Sequence, residues 1–287
     1  MTIIVGTDGT SRGTAAVVWA AAEAQRRRTL LRIRYAFVPD RDDSRFEIGN
    51  EYLDVATILA DAVVADARRR ACAAAPDVDL ETDTLIGHAV PRLLDVARGA
   101  QLLVLGDPAR SGRTGLVLGS TCRRLTRQAP CPVVVVRGRA VAGGPVIAGI
   151  DDSADADLVA EVAFEAAADR GCDLLVLRSL APARPRRLAG IRRAGRPAAQ
   201  ERTAELARIE DRLAAWRDKH PGVRVEVALT RDTAAAALAA RSGRAQLVVI
   251  GSSGHRAVGG TILGSVGQHL LHHAACPVLI ARACEPA

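Results

Sequence analysis

Two glycine-rich stretches carry the spacing best suited to chemistry. In the second half of the chain, Gly251-Ser252-Ser253-Gly254 is followed, nine residues later, by Gly264-Ser265. Glycine lets a backbone turn freely and approach a ligand with no Cβ in the way. Successive loop N–H groups form a concavity for an anion. If a helix opens at Gly264-Ser265, its free N–H groups and the Ser265 hydroxyl can both reach a phosphate. Phosphate binding is the chemistry this spacing offers; a flexible surface loop is the plainer alternative. The matching stretch of the first half runs Gly106-Asp107-Pro108-Ala109 and then Gly119-Ser120-Thr121. Neither stretch holds the lysine of a Walker loop. No G-x-G-x-x-G turn follows the first strand-like run, which disfavours a nicotinamide dehydrogenase.

The elements that must position these loops occur twice. Gln101 to Gly106 reappears as Gln246 to Gly251, Leu118-Gly119-Ser120 as Leu263-Gly264-Ser265, and Cys131-Pro132-Val133 as Cys276-Pro277-Val278, each pair 145 residues apart. Near the two starts, Ile4 to Asp8 matches Ile147 to Asp151 at 143 residues. Matched segments in one order at nearly one offset mark an internal duplication, with Gly143-Gly144-Pro145 as the junction. The expected domains are residues 1–140 and 145–287. Apolar runs near 2–7, 30–38, 78–86, 101–106 and 132–137 alternate with helical patterns such as Thr14 to Arg27 and Glu51 to Ala75. The second half repeats them near 145–150, 173–180, 223–230, 246–251 and 277–282. Continuous runs such as Val133-Val134-Val135-Val136 suit strands covered on both faces. The fold class expected is α/β: two tandem Rossmann-like domains, each a five-stranded parallel sheet with helices on both faces. Ligands in such sheets bind beyond the carboxyl ends of the strands, where strand order reverses.

At 287 residues, with 49% apolar and 25% charged residues, the chain has the profile of two globular domains. No apolar run approaches the roughly 20 residues of a membrane span, so no membrane association is expected. Met1 leads directly into a strand-like run with no basic leader, and a cytoplasmic location is expected. Six cysteines at irregular spacings, with no C-x-x-C pair, argue against a disulfide framework or zinc site and for buried structural thiols. The net charge of +7 is almost entirely arginine, since Lys219 is the one lysine. Those arginines are scattered through alanine-rich helices, which argues against nucleic acid as a partner.

With an aspartate closing the first strand (Asp8 and Asp151), G-x2-G-x9-G-[ST] after the fourth strand resembles the ATP-binding branch of the universal stress protein family. Val5 to Thr10, Trp19-Ala20 and the Cys-Pro-Val that opens each last strand add to the likeness, which covers both halves. The tandem arrangement resembles proteins of high-GC Gram-positive bacteria, the mycobacterial ones included. The resemblance implies an adenine nucleotide as ligand: ATP, with or without Mg2+. It implies that Asp8 and Asp151 contact the adenine or ribose end. It places Gly251, Gly254, Gly264, Ser265 and Val266 around the ribose and phosphates, and Gly106, Ala109, Gly119, Ser120 and Thr121 at the matching first-half positions. Ala36 and Ser179, after the second strands' apolar runs, would line the adenine slot. It also implies pairing of the last strands, Val133 to Arg137 and Val278 to Arg282, as a homodimer or an intrachain pseudo-dimer. An exposed apolar edge strand needs such cover.

Ala109 departs from that pattern: a Cβ where φ > 0 is needed costs about 1–2 kcal/mol. Asp107 adds a negative charge where phosphates should lie. The second half is therefore expected to bind ATP better. It has a departure of its own, Asp232 standing where the first half has Gly87. His255 and Arg256 could touch a phosphate or point to water. His269 and His273 share a helix face at a metal-like spacing, but with no acidic or cysteine partner evident a solvated face is the better reading. Trp216 reads as a packing residue. Six arginines between Arg184 and Arg196 could meet an anionic partner, though a solvated loop is favoured. No nucleophile, base and orienting group stand together, so ATP turnover is expected to be slow or absent. The expected role is a nucleotide sensor or stress-response regulator. The alternatives are a slow ATPase and an interaction module with a structural nucleotide.

Overall fold

Each of the ten apolar runs forms a strand, and the helical patterns between them form helices. The computed structural model describes residues 2–38, 51–107, 119–181, 198–252 and 263–284. The first repeat gives β1 (Thr2–Thr7), α1 (Ser11–Arg27), β2 (Leu30–Phe37), α2 (Glu51–Ala74), β3 (Leu80–Ile86), α3 (Ala89–Val96), β4 (Leu102–Gly106), α4 (Ser120–Gln128) and β5 (Val133–Val136). The second gives β6 (Val146–Gly149), α5 (Ala156–Arg170), β7 (Leu174–Ser179), α6 (Ala198–Lys219), β8 (Val225–Thr230), α7 (Ala234–Ser242), β9 (Leu247–Gly251), α8 (Ser265–His273) and β10 (Val278–Ala281). The chain divides into two compact units: residues 1–137 with 278–287, and residues 138–277.

In the first unit the strand order is β3-β2-β1-β4-β5, all parallel, and order reverses between β1 and β4. Ile3, Val5, Leu102, Val104 and Val133 to Val135 are fully buried, as expected of strands covered on both faces. Ala16, Ala20 and Ala24 put a buried small-residue stripe on α1. Four-residue spacing keeps them on one face, and their size lets the helix lie close to the sheet. Thr10 starts that helix by accepting a hydrogen bond from the Gly13 N–H at 3.2 Å.

β10, the last strand of the second repeat, falls in this first unit and pairs antiparallel with β5. Val278 lies opposite Val135, Leu279 opposite Val134 and Ile280 opposite Val133. Arg282, just beyond it, donates to the carbonyls of Thr126 at 2.7 Å, Arg127 at 3.3 Å and Ala129 at 2.6 Å. A cation there satisfies the free carbonyls and the negative end of α4.

The second unit repeats the core order as β9-β6-β7-β8, again parallel, with the reversal between β6 and β9. Backbone detail is conserved between repeats: Leu103 N–H donates to Pro132 O, and Val248 N–H to Pro277 O. Of the six cysteines, Cys122, Cys131 and Cys276 are buried, Cys172 is half-buried, and Cys72 and Cys284 are exposed. The expectation of buried thiols thus holds for three; Cys72 sits on the surface of α2, Cys172 in the loop between α5 and β7, and Cys284 beyond β10. Trp216 is half-buried, with the Lys219 ammonium 5.0 Å from the centre of its ring. Among the described residues no helix is long and apolar enough to cross a membrane.

Candidate functional site

At the switch point of the second unit the carboxyl ends of β6 and β9 part and leave a cleft of about 580 Å3, its open mouth included. Five residues singled out in the sequence meet there: Asp151 after β6, Gly251 at the end of β9, and Gly264, Ser265 and Val266 at the start of α8. Apolar side chains from α5 (Val159) and α7 (Leu238), with Ile250 and Leu177, form the rest of the wall. Gly149 matters for its size: a Cβ there would lie 2.8 Å from Leu238, as one at Gly6 would lie 3.0 Å from Leu93 in the first unit.

α8 opens on Gly264, whose extended backbone (φ −59°, ψ 162°) leaves the helix with no side-chain cap. α4 opens in the same way on Gly119. By contrast, α1 and α7 are capped by Thr10 and Thr233. The first-turn N–H groups beside each glycine loop are therefore not taken up by a capping side chain. Gly264 N–H donates to Ser252 O at 3.2 Å, drawing the two ends of the loop together.

Asp8 and Asp151 occupy equivalent turns. Asp8 Oδ1 accepts from Thr10 N–H at 3.0 Å and from Thr10 Oγ1 at 2.7 Å. Asp151 Oδ1 accepts from Ser153 N–H at 2.9 Å. These bonds fix each carboxylate at the strand end. Of the residues expected at the adenine slot, Ala36 is half-buried on β2 opposite Leu85. Ser179 turns its hydroxyl to Asp232 O at 2.6 Å, and it is Leu177 of β7 that lines the cleft. Asp232 does not copy Gly87. Gly87 has φ +129°, and Arg28 is the one non-glycine described residue at positive φ. The second repeat's turn follows another path and is tied by Ser179 instead. Gly254, His255, Arg256, Ala109 and the arginines from 184 to 196 lie outside the described residues.

Asp107 is no isolated negative charge facing the phosphate position. Its Oδ2 accepts from Arg12 Nη1 at 3.1 Å and lies 4.0 Å from Arg137. The equivalent pair in the second unit is Ser252 Oγ donating to Asp155 Oδ2 at 3.2 Å. Both pairs tie the loop after the fourth strand to the start of the repeat's first helix, with the carboxylate moved from one side to the other. A guanidinium partner offsets part of the charge of Asp107 and weakens the argument from repulsion. Near this tether, burial pushes the Cys122 thiol up to about 12, and the Asp107 charge adds to the shift. It stays protonated at neutral pH and is no nucleophile.

Two further ionisable groups are shifted. Desolvation pushes the Asp152 carboxyl upward, but the Arg178 hydrogen bond and the charges of Arg178 and Arg208 outweigh it and hold the group below its ordinary value. His269 on α8 is lowered by desolvation first, then by His273 and His272. The His269 and His273 rings lie 4.3 Å apart. Among the described residues no group of three or more His, Cys, Asp or Glu is arranged to hold a metal.

Ser153, Leu177, Ala234 and the Ser252–Asp155 tether were not anticipated as parts of the site. The apolar ones carry no signal distinct from core residues. Ser153 could have been found from the Asp-x-Ser spacing that makes a local turn.

The family model described as the universal stress protein family matches residues 1–137 and 144–282. The chain is 32% identical over 302 residues to Universal stress protein Rv1996 of Mycobacterium tuberculosis, covering 98% of this chain and 94% of that protein. It is 31% identical over 291 residues to Universal stress protein Rv2623 of the same organism, covering 98% and 96%. Among solved structures, a universal stress protein from Archaeoglobus fulgidus DSM 4304 matches over 98% of both chains with a TM-score of 0.74. At 18% identity that likeness speaks to the fold. Two matches to one family model, and full-length relatives at about this identity, agree with the duplicated switch-point architecture: this chain belongs to the universal stress protein family.

Proposed function

We propose that this protein binds an adenine nucleotide, ATP, in the cleft of its second repeat, and acts as a stress-response sensor or regulator rather than by turnover. The observation that carries the reading is the meeting of Asp151, Gly251, Gly264, Ser265 and Val266 at one switch point. The cleft's apolar wall suits a base. Its glycine-started helix presents N–H groups to phosphates at the positive end of the helix dipole. Mg2+, where it accompanies ATP, would arrive on the phosphates, its usual mode. The described lining supplies one carboxylate, Asp151, already engaged by Ser153 N–H. That favours holding a nucleotide over activating a water.

The first repeat is the weaker site in this reading, and Ala109 in place of the loop's second glycine supports that. Denaturing freshly purified protein and counting released nucleotide tests both points. One mole of ATP per chain is expected. Two would overturn the asymmetry, and none, with no ATP binding by calorimetry, would overturn the function. Ser265→Ala is expected to weaken ATP binding by roughly 2- to 10-fold, the worth of one hydrogen bond. Gly264→Ala, which sets a methyl group at the helix start, is expected to weaken it further. Unchanged calorimetric affinity in both variants would place the nucleotide elsewhere.

A further inference from the structure

The two repeats cover the turn after their first strand in different ways. In the first, a Cβ at Gly9 would lie 3.1 Å from Cγ1 of Val63 on α2, and Ala60 and Ala67 of the same helix are buried. The positions 145 residues further on are Glu205, Arg208 and Arg212 of α6. Gly9 and Tyr35 are matched, 143 residues on, by Asp152 and Arg178. Five apolar or uncharged positions in one repeat are thus charged in the other.

Four of those charges form one network, and the fifth, Arg212, lies beside it. Arg178 bridges Asp152 and Glu205, the latter at 2.8 Å. Arg208 bridges the same two carboxylates at 2.8 and 3.2 Å. Arg212 reaches Asp157, at the start of α5, at 3.4 Å. Its Nη1 also donates to the backbone carbonyl of Asp151 at 3.1 Å. The inner pair is shielded, with the Arg178 and Glu205 side chains 12% and 13% exposed. The network lines a small second cleft that shares Ile150 and Asp151 with the main one.

Resting on the nucleotide-binding reading of the main cleft, we propose that this network braces the Asp151–Asp152 turn of the second repeat. Arg212 is then a positioning residue that sets Asp151 before ligand arrives. A charge-assisted hydrogen bond to the Asp151 carbonyl holds the strand end from α6. A turn ordered in advance loses less conformational freedom on binding than one that must be ordered by the ligand. The Arg178–Glu205 pair is shielded and so less screened than a surface ion pair, whereas Arg212 and Asp157 are more exposed.

The test compares wild type, Arg212→Met, Arg212→Lys and the same-helix control Arg217→Met, whose arginine pairs with Glu210 outside the network. Two quantities are read: exchange of the Ser153 amide, which donates to Asp151 Oδ1, in nucleotide-free protein, and ATP affinity by calorimetry. Arg212→Met is expected to lose Ser153 protection and to weaken ATP binding about tenfold. Arg212→Lys should recover much of both, and Arg217→Met should leave both unchanged. Retention of protection and affinity in Arg212→Met overturns the brace. If wild type binds no adenine nucleotide, the functional reading fails, and the exchange data still decide whether the turn is braced. Should Arg212→Met not fold, the more exposed Arg208→Met with Glu205→Gln carries the same expectations.

Discussion

Arg28 and Gly171 end equivalent helices, and both sit in the left-handed region, at φ 50° and φ 58°. Glycine adopts that conformation without strain, whereas a Cβ clashes with the backbone. Arg28→Gly is therefore expected to stabilise the chain by about 0.5–1 kcal/mol, read as a rise in the thermal midpoint. A fall would show that the arginine side chain contributes more than its backbone costs. At this scale the sequence was informative where one residue type answers one backbone need. That Gly251, Gly264 and Ser265 meet at one cleft was legible from glycine-loop and helix-start spacing, while Asp151 came from the family resemblance. The partner of Asp107 was not foreseen because Arg12 lies 95 residues away. No local pattern connects the two, and the equivalent pair in the second repeat carries its carboxylate on the other residue. The α6 network was missed for the same reason, Asp152 and Arg208 being 56 residues apart.

Helix α8 joins two chemistries along one short rod: its first turn lines the cleft, and its far end carries His269, His272 and His273. The folded His269 takes up a proton less readily than the unfolded chain, because of desolvation first and its histidine neighbours second. As pH falls through about 6.5 the unfolded chain binds the proton first. Stability from this group is thus full above that pH and is lost progressively down to the lower folded value. His273→Gln removes the second cause but not the first, so the His269 pKa should rise only part of the way to its ordinary value. An NMR titration of the ring protons reads this directly, and no movement would separate the two rings electrostatically. The strands were legible at this scale, since runs of Val, Leu and Ile bounded by turn residues leave little choice. The N-terminus of α1 was not: Ser11 to Gly13 lack apolar spacing, and it is Thr10's cap that starts the helix there.

The duplication was the clearest statement in the sequence, yet the units do not divide where the repeats do. β10 is counted in the second repeat by its motif and in the first unit by its contacts. The repeat offset registers which strand is homologous to which, but antiparallel pairing of two short apolar strands leaves no offset to detect. The cover this gives β5 is testable. Removing residues from Val278 onward bares four consecutive buried valines on a sheet edge. The shortened chain is expected to self-associate in sedimentation experiments and to melt at a lower temperature. A monomer of unchanged midpoint would show that β10 adds nothing to the first unit.

That pairing also gives the molecule a history. β5 leaves the ribosome ~140 residues before its antiparallel neighbour, an interval on the order of ten seconds at typical elongation rates. Throughout it, the first repeat carries its sheet without the strand that covers β5 in the finished chain. That edge of the first half is therefore completed only once the second has been translated, and a chain halted in between is expected to expose an unpaired apolar strand.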